Sequence, residues 1–231
     1  MTITRLLVHV EGQTEETFIN EVVAPHLLAT GYTSVGARIV GNARLRSRRG
    51  GIRAWPAVRM DIVKHLRGDF GCAATTMVDY YRLPATGAGA WPGRAGGQNL
   101  TTQEKASRVE NALLDDMADA MGSEFESKRF VPFVVMHEFE GLLFSECAAF
   151  AAAIGRADLV PRLLAIRHGF ETPEDINDSE STAPSKRVQI LAPEYEKPIF
   201  GVLAALEIGL TRIRTECPHF HKWLTILESL V

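Results

Sequence analysis

Four short runs rich in β-branched and aromatic residues alternate with stretches of helical spacing in the first 136 residues of this chain. The strand-like runs are residues 6–10, 34–40, 73–78 and 130–136, and the helical stretches are 14–29, 55–66 and 103–121. Strands that alternate with helices predict a parallel sheet with right-handed crossovers. The first and third runs are apolar or small almost throughout, as in strands that are covered on both faces.

The pattern changes after Met136, where only helical spacing recurs. We expect helices over 141–155, 158–168, 199–214 and 219–230, without a further strand. The stretch 173–184 holds four acidic and no basic residues, which predicts a solvated loop or a mobile flap. The predicted fold class is therefore α/β: about four parallel strands flanked by helices over residues 1–150, with a helical extension over residues 151–231 packed on it.

Composition narrows the class of protein further. With 46% hydrophobic and 23% charged residues, the chain has the proportions of a globular protein. It has no apolar run of the roughly 20 residues that span a bilayer, so we expect no membrane partner. The chain starts without a signal-peptide pattern, and its three cysteines are scattered, which favours a cytoplasmic location.

Acidic residues follow three of the four predicted strands. Glu11 follows the first, Asp79 the third, and Glu138 and Glu140 the fourth. The carboxyl ends of parallel strands border one crevice, so we expect these carboxylates to converge there. Carboxylates that close together repel one another unless they protonate or bind a cation, and an all-oxygen set suits Mg²⁺ or Mn²⁺. On an extended backbone, Glu138 and Glu140 would point to the same side, an argument that fails if Glu140 already lies in the following helix.

Each acid also has a purely structural interpretation. An acid after a strand often caps the next helix, and Thr14 with Glu15 and Glu16 is typical of an ordinary helix start. One sheet topology explains all three strand ends together, which favours the functional interpretation.

At these residues the sequence resembles TOPRIM domains, which occur in type IA topoisomerases, bacterial primases, small maturation nucleases and overcoming-lysogenization-defect nucleases. Their motif is a glutamate after the first strand, Asp-x-Asp after the third and often an acid after the fourth; Glu11, Asp79 and Glu138 or Glu140 match it. More narrowly, the chain resembles a prokaryotic family, domain of unknown function 4276. The segments that carry this resemblance are residues 10–15, 79–81, 137–144, 184–187 and 217–220.

The resemblance implies a TOPRIM-like fold, a metal-dependent nuclease activity, an ATPase partner and a role in phage defence. It also makes Lys186 a candidate catalytic residue and Tyr195 and Lys197 weaker candidates. Tyr81 stands where the motif has its second aspartate, which puts chemistry with two metal ions in doubt more than metal binding itself.

Basic residues are concentrated beside the predicted crevice. Residues 38–67 hold nine Lys or Arg residues and one acid. An arginine-rich loop suits a phosphodiester backbone, although it is also typical of a solvated surface loop. The candidate nucleic-acid contacts are Arg44, Arg46, Arg48, Arg49 and Arg53. His137 adjoins the acidic cluster in sequence, and we expect it to orient a ligand or to act as an acid or base.

The first hypothesis is thus a Mg²⁺- or Mn²⁺-dependent nuclease acting on DNA or RNA, in which Glu11, Asp79, Glu138 and Glu140 hold the metal. Of these, Glu11 and Asp79 are also candidate catalytic residues, together with Lys186. The alternative is a non-catalytic TOPRIM-like partner of an ATPase or a nucleic acid. Nucleotidyl transfer is a third interpretation. The sequence leaves open whether the chain forms a homo-oligomer.

Overall fold

The computed structural model describes residues 2–40, 52–177, 179 and 181–231, and it shows a parallel sheet with helices on both faces. The strands in this part of the chain are β1 (Arg5–Val10), β2 (Ser34–Ile39), β3 (Cys72–Asp79), β4 (Phe130–Val131) and β5 (Val134–Val135). Their order is β2-β1-β3-β4, β5 also pairs with β3, and every pair is parallel. The predicted α/β class is confirmed.

Helices connect the strands and make up the C-terminal region. They are α1 (Gln13–Phe18), α2 (Ala24–Thr30), α3 (Trp55–Gly68), α4 (Thr102–Met121), α5 (Glu140–Leu143), α6 (Cys147–Ala153), α7 (Val160–Arg167), α8 (Pro184–Leu191), α9 (Val202–Ile208), α10 (Leu210–Glu216) and α11 (Pro218–Glu228). Turns of π-helix precede α2 at Ile19–Val23 and α9 at Lys197–Gly201. In the described part of the chain, none of the helices has the length and apolarity needed to cross a bilayer.

The two faces of the sheet are covered by different helices. Side chains of α3 and α4, such as Val58 and Leu113, form a buried cluster with Ala74 and Val78 of β3. On the other face, the helices between β1 and β2 share a larger cluster with the C-terminal helices, in which Val8 belongs with residues of α11. Residues before and after residue 150 therefore pack together in this larger cluster. The predicted domain division at residue 150 stays a prediction.

The fourth predicted strand is interrupted. Pro132 separates β4 from β5, because proline has no backbone N–H to donate to a ladder. At Phe133 the hydroxyl of Thr76 replaces the ladder: it accepts from the Phe133 N–H at 2.9 Å and donates to the Phe133 carbonyl at 2.9 Å. The continuous strand predicted over 130–136 is therefore wrong, although β5 keeps the chain parallel to β3.

Three predicted helices are interrupted as well. The helix expected over 14–29 contains the π-helical turn Ile19–Val23, and the helix expected over 141–155 divides into α5 and α6. The helix expected over 199–214 is broken at Gly209, whose φ of 78° is a left-handed conformation that ends α9.

The sequence predicted a solvated loop or a mobile flap for the acidic stretch after α7, but part of this stretch is buried. Glu174 is buried, and its carboxylate accepts the backbone N–H groups of His219 at 2.8 Å and Phe220 at 2.9 Å. These are donors in the first turn of α11, so Glu174 caps that helix from a distant loop. Asp178 and Glu180 lie outside the described residues.

Candidate active site

A polar cleft of about 600 Å³ lies at the carboxyl edge of the sheet. The chain leaves β1 toward β2 on one side and later adds β3 on the other side of β1, so the strand order reverses there. Ligands of open α/β sheets bind at such a point. Glu11 directly follows β1 and Asp79 ends β3, and both line the cleft together with Glu15, Glu138 and Glu140. The predicted convergence of the four candidate carboxylates on one cleft is what the structure contains.

Lys197 lies at the centre of this acidic group. Its Nζ atom is 3.0 Å from Asp79 Oδ2, 3.1 Å from Glu15 Oε1 and 3.3 Å from Glu140 Oε2. The three carboxylate side chains are between 1% and 4% exposed, whereas the lysine side chain is 31% exposed. The ammonium therefore lies among three buried carboxylates.

Local backbone geometry orients each acid. Asp79 Oδ1 accepts the N–H of Phe139 at 2.9 Å, which joins the end of β3 to the segment that follows β5. Glu15 Oε2 accepts the N–H of Gly12 at 3.1 Å, as in a capping box, and this leaves Oε1 for the cleft. Glu140 is the first residue of α5. Ordinary capping contacts thus hold part of the cluster in place.

Burial and the neighbouring charges shift the pKa values of the cluster. Burial and the nearby Glu15 charge raise the pKa of Glu11 to about 7. Burial also raises the pKa of Asp79 and of Glu140 above their usual ranges, although Lys197 opposes both shifts. Burial alone would lower the pKa of the Lys197 ammonium, but its carboxylate contacts outweigh that effect and raise the pKa. A further cation would relieve the remaining repulsion.

Three carboxylate oxygens of the cleft are buried without a hydrogen-bond partner in the described structure: Glu11 Oε2, Glu15 Oε1 and Glu140 Oε2. Lys197 approaches the last two at ion-pair distances without hydrogen-bond alignment. Such atoms are rare in proteins, and oxygen donors suit Mg²⁺ or Mn²⁺. Within the residues the structure describes, no group of three or more His, Cys, Asp or Glu side chains is arranged to hold a metal ion. The donor chemistry fits a hard cation, which would compete with Lys197 for the same oxygens.

A family model described as Domain of unknown function (DUF4276) matches residues 10–228. This chain belongs to that family. No curated protein and no solved structure matches it. The match includes all four candidate carboxylates and establishes no activity, so the likeness to TOPRIM domains stays a prediction.

In this DUF4276 chain, Glu138 is oriented differently from Glu140. Glu138 Oε2 accepts the backbone N–H of Ser185 at 2.9 Å, at the start of α8. The argument that an extended backbone aims Glu138 and Glu140 to the same side does not apply, because Glu140 already lies in α5. Both side chains still line the cleft.

Basic side chains of the DUF4276 chain lie at the rim of the cleft. Lys186 and Arg82 both line it. Arg53 is not among its lining residues and forms an ion pair with Asp61 at 3.0 Å. The other arginines proposed for nucleic-acid binding, Arg44, Arg46, Arg48 and Arg49, lie outside the described residues.

Tyr81 and His137, which adjoin the acids in sequence, are placed differently relative to the cleft. Tyr81 lines the cleft, and its backbone N–H donates to the carbonyl of His137 at 3.1 Å. The His137 ring is buried against Tyr80, with ring centroids 5.9 Å apart, and is not among the lining residues. His137 therefore supports the backbone at Tyr81 rather than reaching into the cleft.

Sequence reasoning did not select Glu15, which it treated as an ordinary helix-start acid, and it weighted Lys197 only through the resemblance. A capping box offers one signal for Glu15, because it is the third residue after Gly12, whose N–H its side chain accepts. The contacts of Lys197 have no local sequence signal, since Asp79 lies 118 residues away.

Proposed function

We propose that this chain is a Mg²⁺- or Mn²⁺-dependent nuclease that hydrolyses phosphodiester bonds of DNA or RNA. The observation that carries the proposal is the group of buried carboxylates beside the polar cleft at the sheet switch point, where three carboxylate oxygens have no hydrogen-bond partner in the described structure and only two of them are close to Lys197. Buried polar atoms normally have hydrogen-bond partners within the protein. Buried carboxylate oxygens without such partners, in a cleft with shifted pKa values, are therefore typical of a binding site.

In this proposal Glu11, Glu15, Asp79 and Glu140 hold the metal. The bound ion would lower the pKa of a water molecule and polarise the scissile phosphate. Lys186 and Arg82, at the rim, would hold substrate phosphates by charge. Lys197 contacts Asp79 at 3.0 Å, and its positive charge would also suit a substrate phosphate bound beside the carboxylates.

The arginines of residues 44–53 extend this proposal. They would bind the sequence-independent backbone of a longer nucleic acid beside the cleft. An ATPase partner, a role in phage defence and a cytoplasmic location remain parts of the proposal that the family resemblance suggests. The three free, buried cysteines suit a reducing compartment.

Cleavage assays test the proposal directly. Purified protein is incubated with supercoiled DNA, single-stranded DNA and RNA, with Mg²⁺, Mn²⁺ or chelator. We expect cleavage that depends on the metal and is lost in Glu11→Gln and Asp79→Asn, because each substitution removes a carboxylate from the cluster. Variants that cut as well as the wild type would show that these residues do not carry the activity.

A non-catalytic binding module is the second candidate. The observation in its favour is Lys197, which already occupies the position between three of the acids, together with Tyr81 in place of a second aspartate. Nucleic-acid binding without any thermal shift from Mg²⁺ or Mn²⁺ would favour this candidate over the nuclease.

A further inference from the structure

Helix α8 is tied to the acidic cleft through its first turn. Pro184 begins the helix and has no backbone N–H, so Ser185 is the first donor that α8 offers. That N–H donates to Glu138 Oε2 at 2.9 Å, across 47 residues of sequence. One carboxylate of the cleft is therefore used to hold a helix.

This contact helps to fix the start of α8, while Val188 and Leu191 pack the helix into the core. The helix has 8 residues, and helices this short are marginal in water without tertiary contacts. Glu138 is only 3% exposed, so water competes weakly for the hydrogen bond. The carboxylate also faces the positive end of the helix dipole, which strengthens the contact.

The two basic residues of α8 make contacts in different parts of the structure. Lys186 lines the cleft beside Gln189, and its Nζ atom is 3.3 Å from Gln189 Oε1. Arg187 instead donates to the carbonyl of Thr182 at 2.7 Å and covers the ring of Phe170 at 5.3 Å. The position of α8 therefore sets the position of one cation at the rim of the cleft, that of Lys186.

We infer that Glu138 is a positioning residue: it holds α8 so that Lys186 contacts a phosphate of a bound nucleic acid, and it is not a metal ligand. The inference deepens the proposed function and rests on it. It divides the acids by geometry: Glu15, Asp79 and Glu140 contact Lys197, whereas Glu138 Oε2 contacts α8.

Nucleic-acid binding without divalent metal tests the positioning role. Anisotropy of a labelled single strand is measured over a range of salt concentrations in chelator. Removing one phosphate contact lowers the slope of log K against log salt by about 0.7 for single strands. We expect this decrease in Lys186→Ala and in Glu138→Ala, and no decrease in Glu138→Gln, whose amide oxygen still accepts the Ser185 N–H. Lys128→Ala is the control, because Lys128 lies before β4 at the opposite edge of the sheet.

Mn²⁺ binding by calorimetry separates positioning from ligation. We expect Glu138→Gln to keep the wild-type affinity within about twofold, and Glu140→Gln to lose about tenfold or more. Equal losses in the two variants would overturn the inference, as would a wild-type salt slope in Glu138→Ala. If Glu138→Ala does not fold, the comparison of the two glutamine variants decides. The expected pattern in a protein that cleaves nothing would refute the nuclease and support the positioning role. A wild type that binds no nucleic acid in chelator would overturn the positioning role, while cleavage with metal decides the nuclease separately.

Discussion

The Nζ atom of Lys197 lies 3.0 Å from Oδ2 of Asp79, across 118 residues of sequence. Asp79 ends the central strand β3, and Lys197 opens the π-helical turn before α9. The contact therefore joins the C-terminal helices to the carboxyl edge of the sheet. It also places a positive charge where a metal ion would have to bind, so the two cations compete for the same oxygens.

Replacing Lys197 by methionine removes that competitor and keeps most of the side-chain volume. We expect Lys197→Met to bind Mn²⁺ at least about tenfold more tightly, which corresponds to about 1.4 kcal/mol. The metal-free variant should be less stable than the wild type, because the buried carboxylates lose their counter-charge. Calorimetry and thermal unfolding with and without Mn²⁺ measure both effects.

The control for this prediction is Lys186→Met, which removes a positive charge at the rim of the cleft. It should change Mn²⁺ affinity much less, because Lys186 contacts Gln189 rather than the acidic cluster. If Lys197→Met binds Mn²⁺ no better than the wild type, the ammonium and the ion do not share a site.

His9 should make the protein sensitive to acid. It is fully buried in β1, its Nε2 atom is 3.3 Å from His65 Nδ1, and burial followed by the His65 charge lowers its pKa to about 3 from 6.5. Between these two values the unfolded chain binds a proton that the native state does not. The free energy of unfolding therefore falls as pH falls through this window, by up to about 1.4 kcal/mol per pH unit.

Urea unfolding of the wild type and of His9→Gln between about pH 7 and about pH 4 measures this effect. The variant should show a smaller loss of stability on acidification, because glutamine does not titrate. His168→Gln is the matched control, since His168 is exposed. The same pH dependence in His9→Gln and in the wild type would mean that His9 is not the group responsible.

The sheet and the convergence of the acids were predictable because they follow from periodicity and topology. Parallel strands end at one edge, so acids after β1, β3 and β5 must approach one another there. The break of the fourth strand also has a sequence signal, because Pro132 lies within the run that predicts the strand.

Other parts of the site depend on contacts that no local pattern encodes. Glu138 meets Ser185 across 47 residues, and Glu174 meets His219 across 45. The sequence predicts Glu138 in the cleft and Glu174 in a solvated loop, and neither pattern predicts which backbone N–H group in the C-terminal helices each acid accepts. A charged stretch such as 173–184 predicts solvent exposure on average, and a single capping contact overrides that prediction for Glu174.

That capping contact should be important for stability. Glu174→Ala leaves the buried N–H groups of His219 and Phe220 without their acceptor, and we expect it to lower the free energy of unfolding by about 2–4 kcal/mol. Glu174→Gln keeps one acceptor oxygen and should lose less. Glu171→Ala, at an exposed position of the same loop, should stay within about 0.5 kcal/mol. Urea unfolding compares the three variants, and equal stability of Glu174→Ala and Glu171→Ala would contradict the capping role.

Gly201 beside the cleft should resist a substitution that usually stabilises helices. Its φ of −62° is helical, and glycine to alanine at such a position commonly gains about 0.4–1 kcal/mol. Here the added methyl would lie 3.0 Å from Tyr195 Oη and 3.3 Å from Thr14 Cγ2, so we expect Gly201→Ala to cost about 1–3 kcal/mol.

The Tyr195 hydroxyl has no hydrogen-bond partner in the described structure, so Tyr195→Phe should be nearly neutral. In that background the cost of Gly201→Ala should fall by about 0.5 kcal/mol or more, as measured by urea unfolding of all four proteins. An unchanged cost would mean that the hydroxyl is not what excludes the methyl group.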